Sequence, residues 1–223
     1  MKLTTKLFAI AGALVTIAST AQAQSFSDST FNNADWGTIW FGSISFSAQQ
    51  TPTGGNPGFG REVTHVLGDG TAIGVVHLFN PINIITGPGG ISSVSYSLDC
   101  LAPDEQMGVG LSLYQDGFLY VADYSAVGSA WQTKGATGLT ETMFGQVDLS
   151  PSSVVNMSLN PDFDRANSNI GLGFFTANSG GPATISGSFD NFNVEVDAVP
   201  EPATMALLAL PAIATLRKRR QNR

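Results

Sequence analysis

A chain of 223 residues with seventeen acidic and only ten basic side chains carries a formal net charge of −7, a balance that disfavours phosphate backbones and anionic lipid as partners. Its 43% hydrophobic content supports a packed core, while one cysteine excludes an internal disulfide framework and 25 glycines leave little room for long amphipathic helices. The bases are also unevenly placed: two lie in the first 23 residues and five in the last 25, so residues 24–198 hold three bases (Arg61, Lys134, Arg165) against sixteen acids, a net charge of −13. Nucleic acid is therefore not expected as a partner.

The first segment, Met1 to Ala23, has the grammar of a secretory signal peptide. Lys2 and Lys6 form a positive start, Leu7 to Ile17 an apolar centre, and Ala21-Gln22-Ala23 a small-x-small cleavage site. Signal peptidase would then leave Gln24 as the mature N-terminus.

From Trp40 the residues Trp40, Gly42, Ile44, Phe46 and Ala48 alternate with Ser43, Ser45 and Ser47, the period-two pattern of a strand with one face inward. The stretch Thr51 to Gly58 shows no periodicity and is expected to be a long loop. Val63, His65 and Leu67 form a short alternating piece, Ile73 to Phe79 an apolar strand, and Pro81 to Gly90 a connector. Val94, Tyr96 and Leu98 alternate with serines, and Met107, Val109, Leu111 and Leu113 alternate with small residues. Asp116-Gly117 is a hairpin signal leading into Phe118 to Ala122. Weaker strands are expected over Met143 to Leu149 and at Val155, Met157 and Leu159, then a clear one at Ile170, Leu172 and Phe174.

The closing segment changes phase. Ile185, Gly187 and Phe189 are odd and Phe192, Val194 and Val196 even, which predicts a β-bulge at Asp190-Asn191. About ten strands at spacings of ~8–12 residues indicate an all-β fold, a single sandwich domain over residues 24–198.

The final segment has three parts. Val199-Pro200-Glu201-Pro202 is held extended by its prolines. Ala203 to Leu216, with Met205, Leu207, Leu208, Leu210, Ile213 and Leu216 as its large apolar members, is expected to be a helix, and it ends at Arg217-Lys218-Arg219-Arg220. At ~1.5 Å per residue the apolar run falls short of a ~30 Å hydrocarbon core, and its basic end would be held on the cytoplasmic side.

Residues 199–223 resemble the sorting tail of the PEP-CTERM family of exported bacterial proteins: Pro200, Glu201 and Pro202 as the recognition element, a short hydrophobic segment and a basic stop. The resemblance implies processing by an exosortase, a membrane transpeptidase-like enzyme. It further implies transient anchoring in the inner membrane of a Gram-negative bacterium and delivery to its envelope or extracellular matrix, in association with exopolysaccharide or biofilm.

The body resembles the jelly-roll, concanavalin-like sandwiches and carbohydrate-binding modules, through Phe31 to Trp36, the Pro161-Asp162-Phe163-Asp164 turn and the closing Phe189-Asp190-Asn191-Phe192. That resemblance makes extracellular polysaccharide a candidate partner and a structural Ca²⁺ the one candidate cofactor. Asp190 is similar to the closing-strand aspartate that holds such an ion in some of these modules. Asp162, Asp164 and Asn167 gather in one turn, but their spacing is not that of an EF-hand, and turn or bulge side chains bonding their own backbone explain them equally. Of the aromatics Trp36, Trp40, Tyr114, Tyr120, Tyr124 and Trp131, the pair Tyr120 and Tyr124 shares strand parity and is the candidate sugar platform.

Signs of catalysis are sparse. The chain has no Gly-x-Ser-x-Gly elbow, no His-Glu-x-x-His and no phosphate loop. His65 and His77 are its only histidines and are expected to sit one packed and one at the surface. Glycoside hydrolysis would need two carboxylates ~5–10 Å apart, for which Asp99, Asp104, Glu105, Asp116 and Asp123 at hairpin ends are the candidates. No motif pairs them, so the expected function is non-catalytic.

Overall fold

The computed structural model describes residues 23–42, 45–82, 84–86, 89–103, 107–148, 155–165 and 167–199. Ala21 of the predicted cleavage site, the sorting tail from Pro200 to Arg223, Asp104 and Glu105 lie outside these residues. Within them the chain is strand after strand: β1 (Gln24–Asp28), β2 (Trp36–Gly42), β3 (Ser45–Gly55), β4 (Gly58–Leu67), β5 (Thr71–Phe79), β6 (Ile84–Ile85), β7 (Ile91–Leu101), β8 (Gly108–Gln115), β9 (Phe118–Ala126), β10 (Gln132–Leu139), β11 (Gly145–Val147), β12 (Val155–Asn156), β13 (Asn169–Gly180) and β14 (Ala183–Ala198). The helical turns among the described residues are short, at Asn33–Asp35 and Glu141–Met143. No helix among the described residues is long and apolar enough to cross a membrane.

The strands form two antiparallel sheets. The first runs β10-β7-β14-β4-β3, with β1 lying end to end with β4 along β14, and the second runs β12-β11-β9-β8-β13-β5-β2, with β6 end to end with β5 along β13. Because the chain passes repeatedly from one sheet to the other, the two inner faces close one core, a jelly-roll sandwich. Its centre is Phe174, fully buried and in ring contact with Phe31, Trp36, His77, Phe189 and Phe192. The alternating residues Val94, Tyr96 and Leu98, and Val109, Leu111 and Leu113, all point inward, as their spacing predicts. β1 begins at Gln24, next to the predicted cleavage site, and pairs with Val196 of β14.

Two expectations are corrected, and one unexpected strand is added. The single strand read from Trp40 to Ala48 is two strands in opposite sheets, β2 and β3. The chain turns at Gly42 with φ +109°, where a side chain would run into the Ala72 carbonyl. The loop expected at Thr51 to Gly58 is instead the tip of the β3–β4 hairpin, which turns through a cis Asn56–Pro57 bond with a register shift between Thr51 and Gly55. β10, whose sequence QTKGATGL shows no alternation, extends the first sheet beyond β7.

The predicted bulge in β14 is present. Register against β7 shifts between Asp190 and Asn193, and Asn191 takes φ +49°. The Asp116-Gly117 turn also forms as expected, with both residues at positive φ.

Candidate ligand-binding site

The outer face of the second sheet differs from an ordinary solvated face. Gly74, Gly108, Gly110, Gly171 and Gly173 lie along its central strands. Between them Phe41, Val76, Leu119, Val121, Val147 and Phe175 form an apolar cluster separate from the main core. Rings of neighbouring residues fill the glycine sites: Phe41 and Phe175 cover Gly74, and Tyr124 covers Gly108. Ser112, on the same face, has a fully buried hydroxyl without a hydrogen-bond partner.

At the β9–β11–β12 edge this face opens into a hollow of about 710 Å³ lined by Gly117, Phe118, Leu119, Gln146, Val147, Asp148, Val155, Asn156, Met157 and Leu159. Leu119 and Val147 make a buried floor, while Phe118, Met157 and Leu159 stand about half exposed on the walls. A second hollow of about 160 Å³, containing Tyr124 and Phe175, shares Val147 and Val155 with the first. The two make one track across the sheet, with Phe118 at one end and Tyr124 at the other. Soluble proteins seldom leave this much apolar side chain open to water without a ligand or partner to cover it.

The candidate sugar pair is therefore split. Tyr124 is half exposed and its ring lies 5.7 Å from that of Phe175, but Tyr120 is 7% exposed and packs in the main core. The expectation from shared parity fails because β9 is bulged. Register against β8 shifts between Val109 and Leu111, with Asp123 at φ +52°, and everything beyond it is turned to the opposite face. Trp36 belongs to the core and Trp40 packs beside Phe46 at the sandwich edge. Phe118 was not singled out by the sequence, since the residue after a hairpin turn carries no pattern of its own.

Two of the candidate calcium carboxylates, Asp162 and Asp190, accept backbone N–H groups. Asp162 Oδ1 accepts the Asp164 backbone N–H, an Asx turn closed on itself. Asp190 is buried in the bulge, where Oδ1 accepts the Asn191 N–H at 2.7 Å and Oδ2 the Asn56 N–H at 2.6 Å. Burial pushes its carboxyl above the usual range, reinforced by Asp99 and Asp28, although those two backbone donors oppose the shift. Among the described residues no three His, Cys, Asp or Glu side chains gather for a metal.

The described carboxylates at hairpin ends are likewise engaged. Asp99 accepts from Asn191 Nδ2 and Thr133 Oγ1, Asp123 from the Tyr96 hydroxyl, and Asp116 from Arg165 and Ser168. Cys100 is buried and its thiol is pushed up to about 11 by loss of solvent, so it behaves as a small hydrophobe.

The two histidines are both fully buried, contrary to the expectation of one at the surface. His65 and Arg61 point inward from β4, and His77, Thr176 and Asn178 point inward from the facing sheet. Their partners dictate one direction of donation. Arg61 Nε donates to His77 Nδ1 at 3.4 Å, so His77 carries its proton on Nε2 and donates to Thr176 Oγ1 at 3.2 Å. Thr176 then donates to His65 Nε2 at 3.1 Å, and His65 Nδ1 donates to Asn178 Oδ1 at 2.6 Å. Both rings are neutral. Burial drives His65 down to about 4 and His77 well below its ordinary value, the latter also because of the Arg61 charge. Arg61 lies 5.8 Å over the Trp36 ring, and Trp36 Nε1 donates to Asp28 at 2.7 Å.

No family model matches this chain, and no curated protein does. Among solved structures it is similar to the family 11 carbohydrate-binding module of a cellulosomal cellulase of Clostridium thermocellum, at 16% identity and TM-score 0.46, covering 82% of this chain and 98% of that one. It is also similar to part of a Clostridium thermocellum xylanase chain that holds family 22 carbohydrate-binding and family 10 glycoside hydrolase modules and was solved with xylohexaose, at 15% identity and TM-score 0.43, covering 75% of this chain and 27% of that one. A third similarity is to TmCBM61 solved with β-1,4-galactotriose, at 10% identity and TM-score 0.40, covering 73% and 89%.

Proposed function

We propose that this is an exported, non-catalytic sandwich protein that binds glycan along the outer face of its second sheet and is delivered to the cell surface or matrix by its C-terminal tail. The observation that carries the reading is the track from Phe118 to Tyr124. Two half-exposed aromatic rings flank an apolar floor, with Gln146, Asp148 and Asn156 on the walls. A pyranose ring presents C–H bonds on its faces and hydroxyls at its rim. It packs its face on an aromatic ring while amide and carboxylate groups bond its edge. The signal-peptide grammar of residues 1–23 and the Pro-Glu-Pro tail support export, which is where extracellular polysaccharide would be met.

Two measurements test this. The secreted protein on a glycan array should bind a defined set of oligosaccharides, with Phe118→Ala and Tyr124→Ala each lowering affinity about tenfold, or ~1.4 kcal/mol. EDTA should leave that binding unchanged, because the Asp162 and Asp190 carboxylates already accept backbone N–H groups. An array that stays flat for the native protein removes the glycan reading. Intact mass of the secreted product tests the export reading: cleavage before Gln24 together with loss of the segment after Pro202 is the expected result, and full-length protein in the cytosol would overturn it.

A further inference from the structure

The track's lining also constrains its ligand. This step rests on the glycan reading above and narrows it. The large hollow offers a ring, five aliphatic or thioether side chains on its walls and floor, and a single charged group, Asp148. It contains no lysine or arginine. The whole body has only three bases: Arg61 is 2% exposed in the core, Lys134 is on β10 of the other sheet, and Arg165, beside the Asp116-Gly117 turn, is held by Asp116 at 2.8 Å. Recognition of a carboxylated or sulfated sugar needs guanidinium or ammonium groups at the site, and a surface of net charge −13 repels such a polymer from a distance. A glycan bearing only hydroxyls, in turn, would leave the exposed faces of Met157, Leu159 and Val155 without apolar partners.

We infer that the groove takes an uncharged glycan carrying methyl-bearing substituents, such as acetyl groups or 6-deoxy carbons. The methyls cover the Met157–Leu159 wall and a sugar ring lies on Phe118. Each methyl buried in this way strengthens binding about fourfold, so two or more give at least about a tenfold preference over the unsubstituted backbone.

The experiment is calorimetric titration of the purified secreted protein with four probes at physiological salt: chitohexaose (N-acetylated), cellohexaose (hydroxyls only), the chitosan hexamer (free amines) and hexagalacturonate (carboxylates). The expected result is chitohexaose tightest, cellohexaose about tenfold weaker and no binding of the galacturonate. The doubly substituted Met157→Ser/Leu159→Ser protein, altered at two half-exposed positions, should bring the ratio of chitohexaose to cellohexaose affinity down to about one. Equal affinity for the first two probes, or measurable galacturonate binding, overturns the inference and leaves glycan binding standing. A preference for the free amines that vanishes in Asp148→Asn also overturns it, in favour of a cationic ligand. Failure of every probe, together with a flat array, removes the glycan reading itself.

Discussion

The two faces of the second sheet invert the usual rule. Its inner face buries a polar chain, Arg61–His77–Thr176–His65–Asn178, across the sandwich, whereas its outer face leaves phenylalanine, methionine and leucine half exposed. The inner groups bond chiefly to one another, with Arg61 also reaching Asn33 and Thr176 the Val75 carbonyl, and they lie buried between the sheets. The outer groups are only half covered by the sheet, and water is a poor partner for the rest. Unusual residues in a core thus define how the sheets fit, and unusual residues on a surface define what the protein meets.

The inner face should dominate stability. Phe174→Ala removes a fully buried ring that touches five others, and is expected to cost about 3–5 kcal/mol, measured by urea unfolding. A loss below ~1 kcal/mol would mean that the two sheets do not meet at this residue.

Acid comes next. His65 is lowered from 6.5 to about 4 by burial, and His77 further. A base whose pKa is depressed in the fold binds its proton more readily unfolded. The stability is therefore complete above the unfolded value near pH 6.5 and declines as pH falls toward 4. The His65 shift alone corresponds to about 3 kcal/mol. Asp28 adds a loss at lower pH because its Trp36, Thr30 and Phe31 donors, outweighing burial, hold its carboxyl down. Asp190, raised by burial, acts in the opposite sense, favouring the fold as the pH falls. A melting temperature that is flat between pH 7 and 4 would contradict the neutral, buried assignment. Nitrogen shifts offer a finer check, with the proton on Nδ1 of His65 and on Nε2 of His77. Thr176→Val, similar in shape but without the hydroxyl, would leave both Nε2 atoms without their partner and should cost about 1–3 kcal/mol.

What the sequence made legible follows from how parity works. A bulge shows itself when the apolar residues on its two sides disagree in phase, as Phe189 and Phe192 do, so the Asp190-Asn191 bulge was visible in advance. The same device at Asp123 was hidden, because Tyr120 and Tyr124 agree in phase and only the register against β8 reveals the extra residue between them. Gly42 was hidden for a related reason: the even-numbered apolar residues continue in step across a turn that carries the chain from one sheet to the other. Alternation placed both histidines in strands, but it cannot say that residues on β4 and β5 meet through a threonine a hundred positions later. The groove was least legible of all. Its lining comes from a hairpin tip, a three-residue strand and the turn after β12, none long enough to carry a period.

The smallest stability effect is expected where the functional effect is largest. Phe118 and Tyr124 are half exposed, so truncating either to alanine removes little buried area and should change unfolding free energy by less than about 0.5 kcal/mol. Tyr124 is the stricter case, because its ring also covers Gly108 and its hydroxyl reaches the Ala177 carbonyl at 3.4 Å. If Tyr124→Ala instead costs as much as Thr176→Val, the ring is a structural filler for the glycine-lined face, and the track shortens to the Phe118 hollow. If stability holds while affinity drops about tenfold, the outer face is separable from the fold, as a face exposed for contact must be and an interior network cannot be.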